Sequence, residues 1–407
     1  MIGSGNVKAK VMGEHRTRHE ITTPSTFGVD RTTSVTWMRT RFGVDVSMPE
    51  GHNFMFQLQD IRDFGSEPTA AANTNDTLDV LQAYYSNMNF LGEGIEMRLG
   101  RQKFDIGDQR LFSTNEWSQT SRAWDGIHLA KNFNNSRLGG FFLVIDDDTP
   151  GNFASDQRYN IGVTFDYNGI ADHMVQFFAL HDIAGGGQYT GGVDGDTTTL
   201  SLRIKGMQME NKLGYSVEGV WQAGTVEAAG GDADISAWAI FANINYTHGM
   251  EGGSSVKIGA GLDMTSGDDD ATDDEMGTFM APYPQTHDYY GYADVVGPSN
   301  LTDIYVNVMY NSGKSWMLEA AGHFFSRTEE DDAMYANGGG VAFAAAAGAA
   351  DDIGMELDLL FTYKCCEYAN MQIGWSHFFA GDFIDDVAAA GADDDIDFLY
   401  ATLNLKF

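Results

Sequence analysis

The run Ile396-Asp397-Phe398-Leu399-Tyr400-Ala401-Thr402-Leu403-Asn404-Leu405-Lys406-Phe407 closes the chain. Apolar side chains at Leu399, Ala401, Leu403, Leu405 and Phe407 alternate with Tyr400, Thr402, Asn404 and Lys406. Successive side chains of a strand point to opposite faces, so this period of two describes one apolar face and one wet face. A strand crossing a bilayer in a closed barrel has that pattern, and so does a soluble edge strand. The remaining sequence decides between them.

Similar segments recur along the chain. Met38-Thr40-Phe42-Val44-Val46 alternate with Arg39, Arg41 and Asp45. Tyr159-Ile161-Val163-Phe165-Tyr167, Trp238-Ile240-Ala242-Ile244-Tyr246 and Ile353-Met355-Leu357-Leu359-Phe361-Tyr363 continue the series. Each has about the length a tilted strand needs to span a membrane. The connections alternate short and long. Pro49-Glu50-Gly51 and Asn311-Ser312-Gly313-Lys314 are short, whereas Ser66 to Asp76, Asp146 to Asp156, Ala184 to Asp196, Thr265 to Ser299, Thr328 to Asp352 and Gly381 to Asp395 are long. Short periplasmic turns and long external loops are the habit of outer-membrane barrels. We expect an all-β fold, a transmembrane antiparallel β-barrel of about 18 strands with 16 as the alternative, forming a single domain over residues 1–407. Both termini then face the periplasm.

Composition agrees. No apolar run approaches the roughly 18 residues of a membrane helix, which leaves a soluble protein or a barrel. The net charge of -34 argues against a nucleic-acid partner. Only Cys365 and Cys366 occur, adjacent, in an expected periplasmic turn, and no zinc or haem spacing is present. The ten histidines form no HExxH pair, and no GxSxG, nucleotide loop or kinase signature appears. A secreted barrel carries a signal peptide and none stands before Met1, so the numbering is expected to describe a mature or re-expressed form.

Acidic groups crowd the long loops, as in Asp146-Asp147-Asp148, Glu329-Glu330-Asp331-Asp332 and Asp393-Asp394-Asp395. Asp268, Asp269, Asp270, Asp273, Asp274 and Glu275 form a further group that calcium, a hard cation wanting several carboxylates, would suit. The EF-hand spacing is absent, which favours a solvated acidic loop as the reading of the run. The Ala/Gly tract from Gly338 to Ala350 reads as a low-complexity loop.

Basic residues have a different distribution. Fifteen of the 24 precede residue 140. Arg16, Arg18, Arg39, Arg41, Arg98, Arg203 and Lys205 fall on the wet parity of their strands. An Arg facing lipid at mid-depth costs about 2–4 kcal/mol, so these side chains are expected to point into the lumen. A basic stripe on a pore wall selects anions. Pairing with inward carboxylates such as Glu14, Asp45, Glu96 and Asp125 is the structural alternative.

One block exceeds generic alternation: Gly100-Arg101-Gln102-Lys103, Gly107-Asp108-Gln109-Arg110, then Trp117 and Arg122-Ala123-Trp124-Asp125-Gly126. It resembles the GRQ…GDxR…W…R-(F/W)-D-G pattern of the alginate-export family. Ser266-Gly267-Asp268, Tyr283-Pro284-Gln285-Thr286-His287 and Gly291-Tyr292-Ala293-Asp294 resemble its central region. Glu356-Leu357-Asp358-Leu359 and Gly374-Trp375-Ser376-His377-Phe378-Phe379-Ala380-Gly381-Asp382 resemble its ending. Trp124 stands where Phe is usual and Ala380 where Pro is common, and no long periplasmic turn is visible. The terminal Phe407 is similar to the C-terminal signature of outer-membrane barrels. The resemblance implies an 18-stranded channel, usually monomeric, whose type member exports alginate through an arginine-rich lumen. By the same resemblance Arg101, Arg110, Arg122 and Asp125 would form a constriction.

The expected function is therefore a non-enzymatic channel in the bacterial outer membrane, passing small or polymeric anionic solutes. No cofactor is expected beyond Ca2+ on external loops. The expected partners are membrane lipid, lipopolysaccharide and the solute, with an acidic polysaccharide among the candidates, and the sequence leaves monomer and homo-oligomer open. The alternative is a structural barrel with ion-binding loops, or one sheathing a partner protein.

Overall fold

The computed structural model describes residues 7–24, 27, 31–64, 77–146, 158–184, 194–228, 231–389 and 395–407. Among the described residues, eighteen long strands pair in chain order: β1 (Lys8–Thr23), β2 (Thr33–Ser47), β3 (His52–Asp63), β4 (Thr77–Phe90), β5 (Ile95–Gln102), β6 (Trp124–Asn132), β7 (Ser136–Asp146), β8 (Arg158–Tyr167), β9 (His173–Ala184), β10 (Gly195–Gln208), β11 (Leu213–Ala228), β12 (Gly231–Gly249), β13 (Ser255–Thr265), β14 (Thr302–Asn311), β15 (Trp316–Ser326), β16 (Asp352–Lys364), β17 (Ala369–Ala380) and β18 (Ile396–Lys406). Every neighbour is antiparallel, and β18 pairs with β1, from Glu14 opposite Lys406 to Thr23 opposite Asp397. The sheet is thereby a closed barrel with no unpaired edge.

Closure explains the alternation. Leu399, Leu403 and Leu405 lie on the outer face and are about 40 % exposed, at 41 %, 38 % and 39 %. Tyr400 and Thr402, between them, are buried inside. Phe407 exchanges backbone hydrogen bonds with Gly13 of β1 at 3.1 and 3.0 Å. A Cβ at Gly13 would run into the Phe407 ring, so glycine there is what lets the terminal aromatic lie flat on the wall.

At the periplasmic end the turns span three to five residues, as at 133–135, 250–254 and 312–315. Gly313, with φ +68, has a backbone neighbour at Gly253 that leaves no room for a side chain. At the other end the connections 103–123, 266–301 and 327–351 are long. One departs from strict alternation. Only 229–230 separate β11 from β12, because these two strands, of 16 and 19 residues, use the chain that a loop would otherwise take. The expected loop at 66–76, most of those at 146–156 and 184–196, and residues 390–394 of that at 381–395, with Asp147, Asp148, Asp393 and Asp394, lie outside the described residues.

The long loops fold inward. Leu111 and Phe112 from loop 103–123 and Phe279 and Tyr283 from loop 266–301 join Phe141, Leu143, Phe178, Leu180 and Phe241 of the wall in one apolar cluster. A second cluster unites Tyr290 and Val296, Met334, and Phe383 and Ile384 of the short helix α1 (Asp382–Val387) with Phe325, Ile353 and Phe378. Each fully buried Phe contributes about 2–3 kcal/mol. The core of this barrel is thus built by its own loops inside the lumen.

Candidate functional site: a loop strut across the lumen

Arg16 and Arg18 of β1 and Arg39 and Arg41 of β2 alternate with outward residues, and Arg16 pairs in register with Arg39. They share one inward face, as their spacing predicts. They are only 3–6 % exposed, however, because loop 103–123 lies over them. Arg16 donates to the carbonyls of Glu116, Trp117 and Ser118 at 2.7, 3.1 and 2.9 Å and to Gln119 Oε1 at 2.8 Å. Arg39 donates to the carbonyls of Glu116 and Ser118 at 3.2 and 3.0 Å and to Glu14 at 2.7 Å. Arg41 donates to Glu116 at 2.7 Å, Gln59 at 2.7 Å and Ser121 at 2.5 Å. Lys103 also pairs with Glu116. The stripe is therefore a clamp on a loop, using charge-assisted bonds, rather than a row of free cations in water. Burial opposes ionisation of Glu116, but Arg41, Lys103 and Arg39 outweigh it and hold the carboxyl well below its usual range.

A stack of rings fixes the same loop. The Arg18 guanidinium lies 3.6 Å from the Trp117 ring, and Trp117 stacks on His287 at 3.5 Å and 5°. His287 in turn stacks on Tyr292 at 4.9 Å. Asp294 accepts from Trp117 Nε1 at 3.0 Å and lies 3.0 Å from His287 Nδ1. Wall, loop 103–123 and loop 266–301 are thus joined in one column.

The other end of loop 103–123 reaches a wall of opposite sign. Arg110 is wholly buried and forms an ion pair with Asp263 of β13, with Tyr305 Oη at 3.3 Å. Its guanidinium also lies 4.0 Å from the Tyr289 ring. Burial opposes the charge on Arg110, but Asp263 holds its pKa above the usual value. Nearby, Asp303 lies 2.8 Å from His323 Nδ1, and Glu356 and Asp358 accept from the Ala293 and Tyr292 backbone amides at 2.7 and 3.3 Å. The two loops also pair with each other: the Ser113 amide donates to the Tyr283 carbonyl at 2.8 Å and the Tyr283 amide to the Leu111 carbonyl at 2.9 Å. Arg122 donates to the carbonyls of Ser113 and Pro284 at 3.2 and 2.9 Å. The result is a strut across the lumen, held at its Glu116 end by arginines and at its Arg110 end by carboxylates.

Other expected site residues separate. Arg203 faces the lumen, donating to Ser216 at 3.0 Å and lying 3.5 Å from Asp108, with Lys205 two places along the same face. Arg98 donates to the Lys103 carbonyl at 3.3 Å. Arg101 and Asp125 do not line the pore. They pair with each other at 3.1 Å, and their neighbours Gln102 and Trp124 take the buried inward positions, so strand parity turns this pair to the outer face. The acidic group at 268–275 does not gather around a cation. Asp270 and Asp273 accept from the amides of Thr272 and Glu275 at 3.0 and 2.8 Å, and among the described residues no three candidate ligands converge. Local turn hydrogen bonds occupy one oxygen each of Asp268, Asp270 and Asp273.

Sequence reasoning missed Lys103, Glu116, Asp263 and Asp303 as site residues. Trp117, Glu356 and Asp358 lay in the quoted family blocks, but only the fold shows that they hold the strut.

The alginate export family profile matches residues 7–395. The chain belongs to the alginate export family. Comparison with curated proteins gives no match. Among solved structures this alginate-export barrel is similar to Pseudomonas aeruginosa OccK2 (OpdF), at 12 % identity and a TM-score of 0.64 over 98 % of this chain and 97 % of that one. It is similar to Pseudomonas aeruginosa OccK8 (OprE), at 11 % identity and 0.63, covering 99 % of both. Acinetobacter baumannii OccAB1 follows at 12 % and 0.60, covering 98 % and 96 %. Such identities speak for the fold alone. Family and fold are those of bacterial outer-membrane transport channels, not of enzymes.

Proposed function

We propose that this alginate-export channel passes anionic solutes, with the strut as its constriction. One observation carries the reading. The chamber beside the 365–368 turn, about 820 Å³, is lined by Arg16, Arg39, Arg41, Lys103, Lys364 and Lys406 against Glu14, Glu116 and Glu367. Six basic side chains thus face three acidic ones in a chain of net charge -34. A basic surplus in a pore wall lowers the barrier for carboxylates and phosphates. On the external side, a cavity of about 640 Å³ holds Arg122 and Arg158 with Asp182. A polymer such as an acidic polysaccharide would require the strut to be displaced, so small anions are the simpler cargo.

The alternative of a barrel sheathing a partner is disfavoured by a lumen already occupied by its own loops. Lipid and lipopolysaccharide surround the barrel in this reading.

The test is single-channel conductance in planar bilayers under a salt gradient, using Lys364→Gln with Lys406→Gln. Lys406 approaches Glu14 at 3.7 Å, but the arginine bonds to loop 103–123 do not run through either lysine, so the variant changes charge while those bonds remain. We expect an anion-selective current whose reversal potential moves toward zero in the variant. A cation-selective wild type would overturn the anion reading, and no current through folded protein would leave a structural barrel.

A further inference from the structure

We infer that a chamber on the periplasmic side of the strut, against the wall of β12–β16, binds a small zwitterion of the free amino-acid class. The chamber measures about 270 Å³ and is separate from the basic one beside the 365–368 turn. Asp288, Tyr289 and Tyr292 of loop 266–301 line it from the strut side, and inward positions of the wall line the rest. The inference goes beyond the anion reading and does not rest on it.

Strand register builds this wall in layers. Nearest the periplasm, Lys257 of β13 stands opposite Met309 of β14, and Met309 opposite Glu319 of β15. Lys257 follows the 250–254 turn and Glu319 the 312–315 turn, so both sit low in the barrel. The next layer runs from Asn245 through Gly259 and Asn307 to Ala321 and Asp358. A Cβ at Gly259 would run into the Asn307 side chain, so glycine there lets that amide lie against the wall. Asn243 stands one layer further up, on the same inward face as Asn245. Among the described residues none of these three amides has a partner in the chain.

The lowest layer carries one charge of each sign. Neighbouring strands lie about 4.8 Å apart, so the backbones of Lys257 and Glu319 stand about 10 Å apart at equal height, with Met309 between them. Among the described residues neither side chain makes a hydrogen bond or an ion pair. Lys257 and Asp288 are the charged groups that act on Glu319. The other charges of the chamber already have partners: Arg110 pairs with Asp263, and Asp358 accepts from the Tyr292 amide and from Ser376. A lone anion would meet Lys257 but also Glu319 and Asp288, and a lone cation meets the reverse conflict. A solute bearing a carboxylate and an ammonium answers both, its carboxylate toward Lys257 and its ammonium toward Glu319. The free amides of Asn243, Asn245 and Asn307 can donate and accept at its remaining polar atoms. The volume stands at the small end of ligand pockets and suits a metabolite rather than a polymer.

The test is saturation-transfer NMR on the full chain in nanodiscs, titrated with three matched probes. They are L-glutamine, glutaramate, which lacks the ammonium, and 4-aminobutanamide, which lacks the carboxylate. L-glutamine should bind saturably and each analogue about tenfold more weakly, the effect of losing one charge-assisted hydrogen bond. Glu319→Gln should weaken L-glutamine by about the same factor and leave glutaramate no weaker; Lys257→Gln should weaken L-glutamine and leave 4-aminobutanamide no weaker. No saturable L-glutamine signal, equal affinity for the three probes, or L-glutamine affinity unmoved in both folded variants would each overturn the proposal. The ranking of the probes on the wild type decides the matter even where a variant fails to fold. The reversal potential reports the anion reading separately, so a cation-selective channel that still ranks the probes in this order would retain the chamber.

Discussion

The wall of β1 and β2 and the wall of β13 to β16 hold the same strut with opposite charge. On β1 and β2 the buried inner residues are Arg16, Arg18, Arg39 and Arg41, whose partners are mostly loop carbonyls and Glu116. On β13 to β16 they are Asp263, Asp303, Glu356 and Asp358, whose partners are Arg110, His323 and loop amides. A backbone loop offers both carbonyl acceptors and amide donors, so each wall grips the group it complements. The loops are thereby fixed in a transverse field, which a lumen with one sign of charge would not supply. The contrast also shows that a charged residue on the wet face of a barrel strand is not thereby a filter residue. It can be spent on the fold.

Replacing Arg39 and Arg41 together by Gln should have the largest effect. Glu14 and Glu116 would lose their main partners; because the Glu116 side chain is 42 % exposed, the cost falls below the about 3–5 kcal/mol of a fully buried pair. We expect the 116–121 segment to detach, unitary conductance to rise with added noise, and the urea midpoint of the folded barrel to fall. Asp263→Asn attacks the opposite wall. It leaves buried Arg110 with only Asp108, at 3.6 Å, as counter-ion, at a cost of up to about 3 kcal/mol, partly offset by Tyr305. A smaller conductance change than in the arginine variant would establish the basic wall as the dominant grip; a larger one would reverse that ranking.

Trp117→Ala removes the column between Arg18 and His287. Desolvated cation–π contacts are worth about 2 kcal/mol, so we expect flickering current with the mean conductance little changed. The pH response should be the smallest effect. The folded-state pKa of Glu116 is depressed, so its contribution is present above the unfolded value of about 4.3 and is lost only as pH falls through the lower folded value. Current noise should therefore hold steady between about pH 7 and pH 4.5. Glu116→Gln should be noisy throughout that range, and equal noise in both proteins would remove Glu116 from the clamp.

Much of this architecture was legible in the chain. The alternation ending at Phe407, the loop lengths and the ordered family blocks led to eighteen strands and an outer-membrane channel. The inward parity of Arg16, Arg18, Arg39 and Arg41 was also legible, since side-chain direction along a strand is local and repeats every two residues. What covers that face was not. Arg16 and Glu116 are a hundred residues apart, and Arg110 and Asp263 are 153 apart. No local pattern links such pairs. Arg101 and Asp125 are a different case: family position suggested a pore group, and strand parity, itself a local signal, sends the pair outside.

The sequence by itself determined the barrel, its strand directions and which side chains face in. That follows because hydrophobic burial in a membrane-spanning strand is decided residue by residue. Only the tertiary structure decided that the basic stripe is a clamp, that the acidic loop gathers no cation site among its described residues, and that two loops cross the lumen. These depend on where long loops fold back, which is set by contacts between residues far apart in the chain.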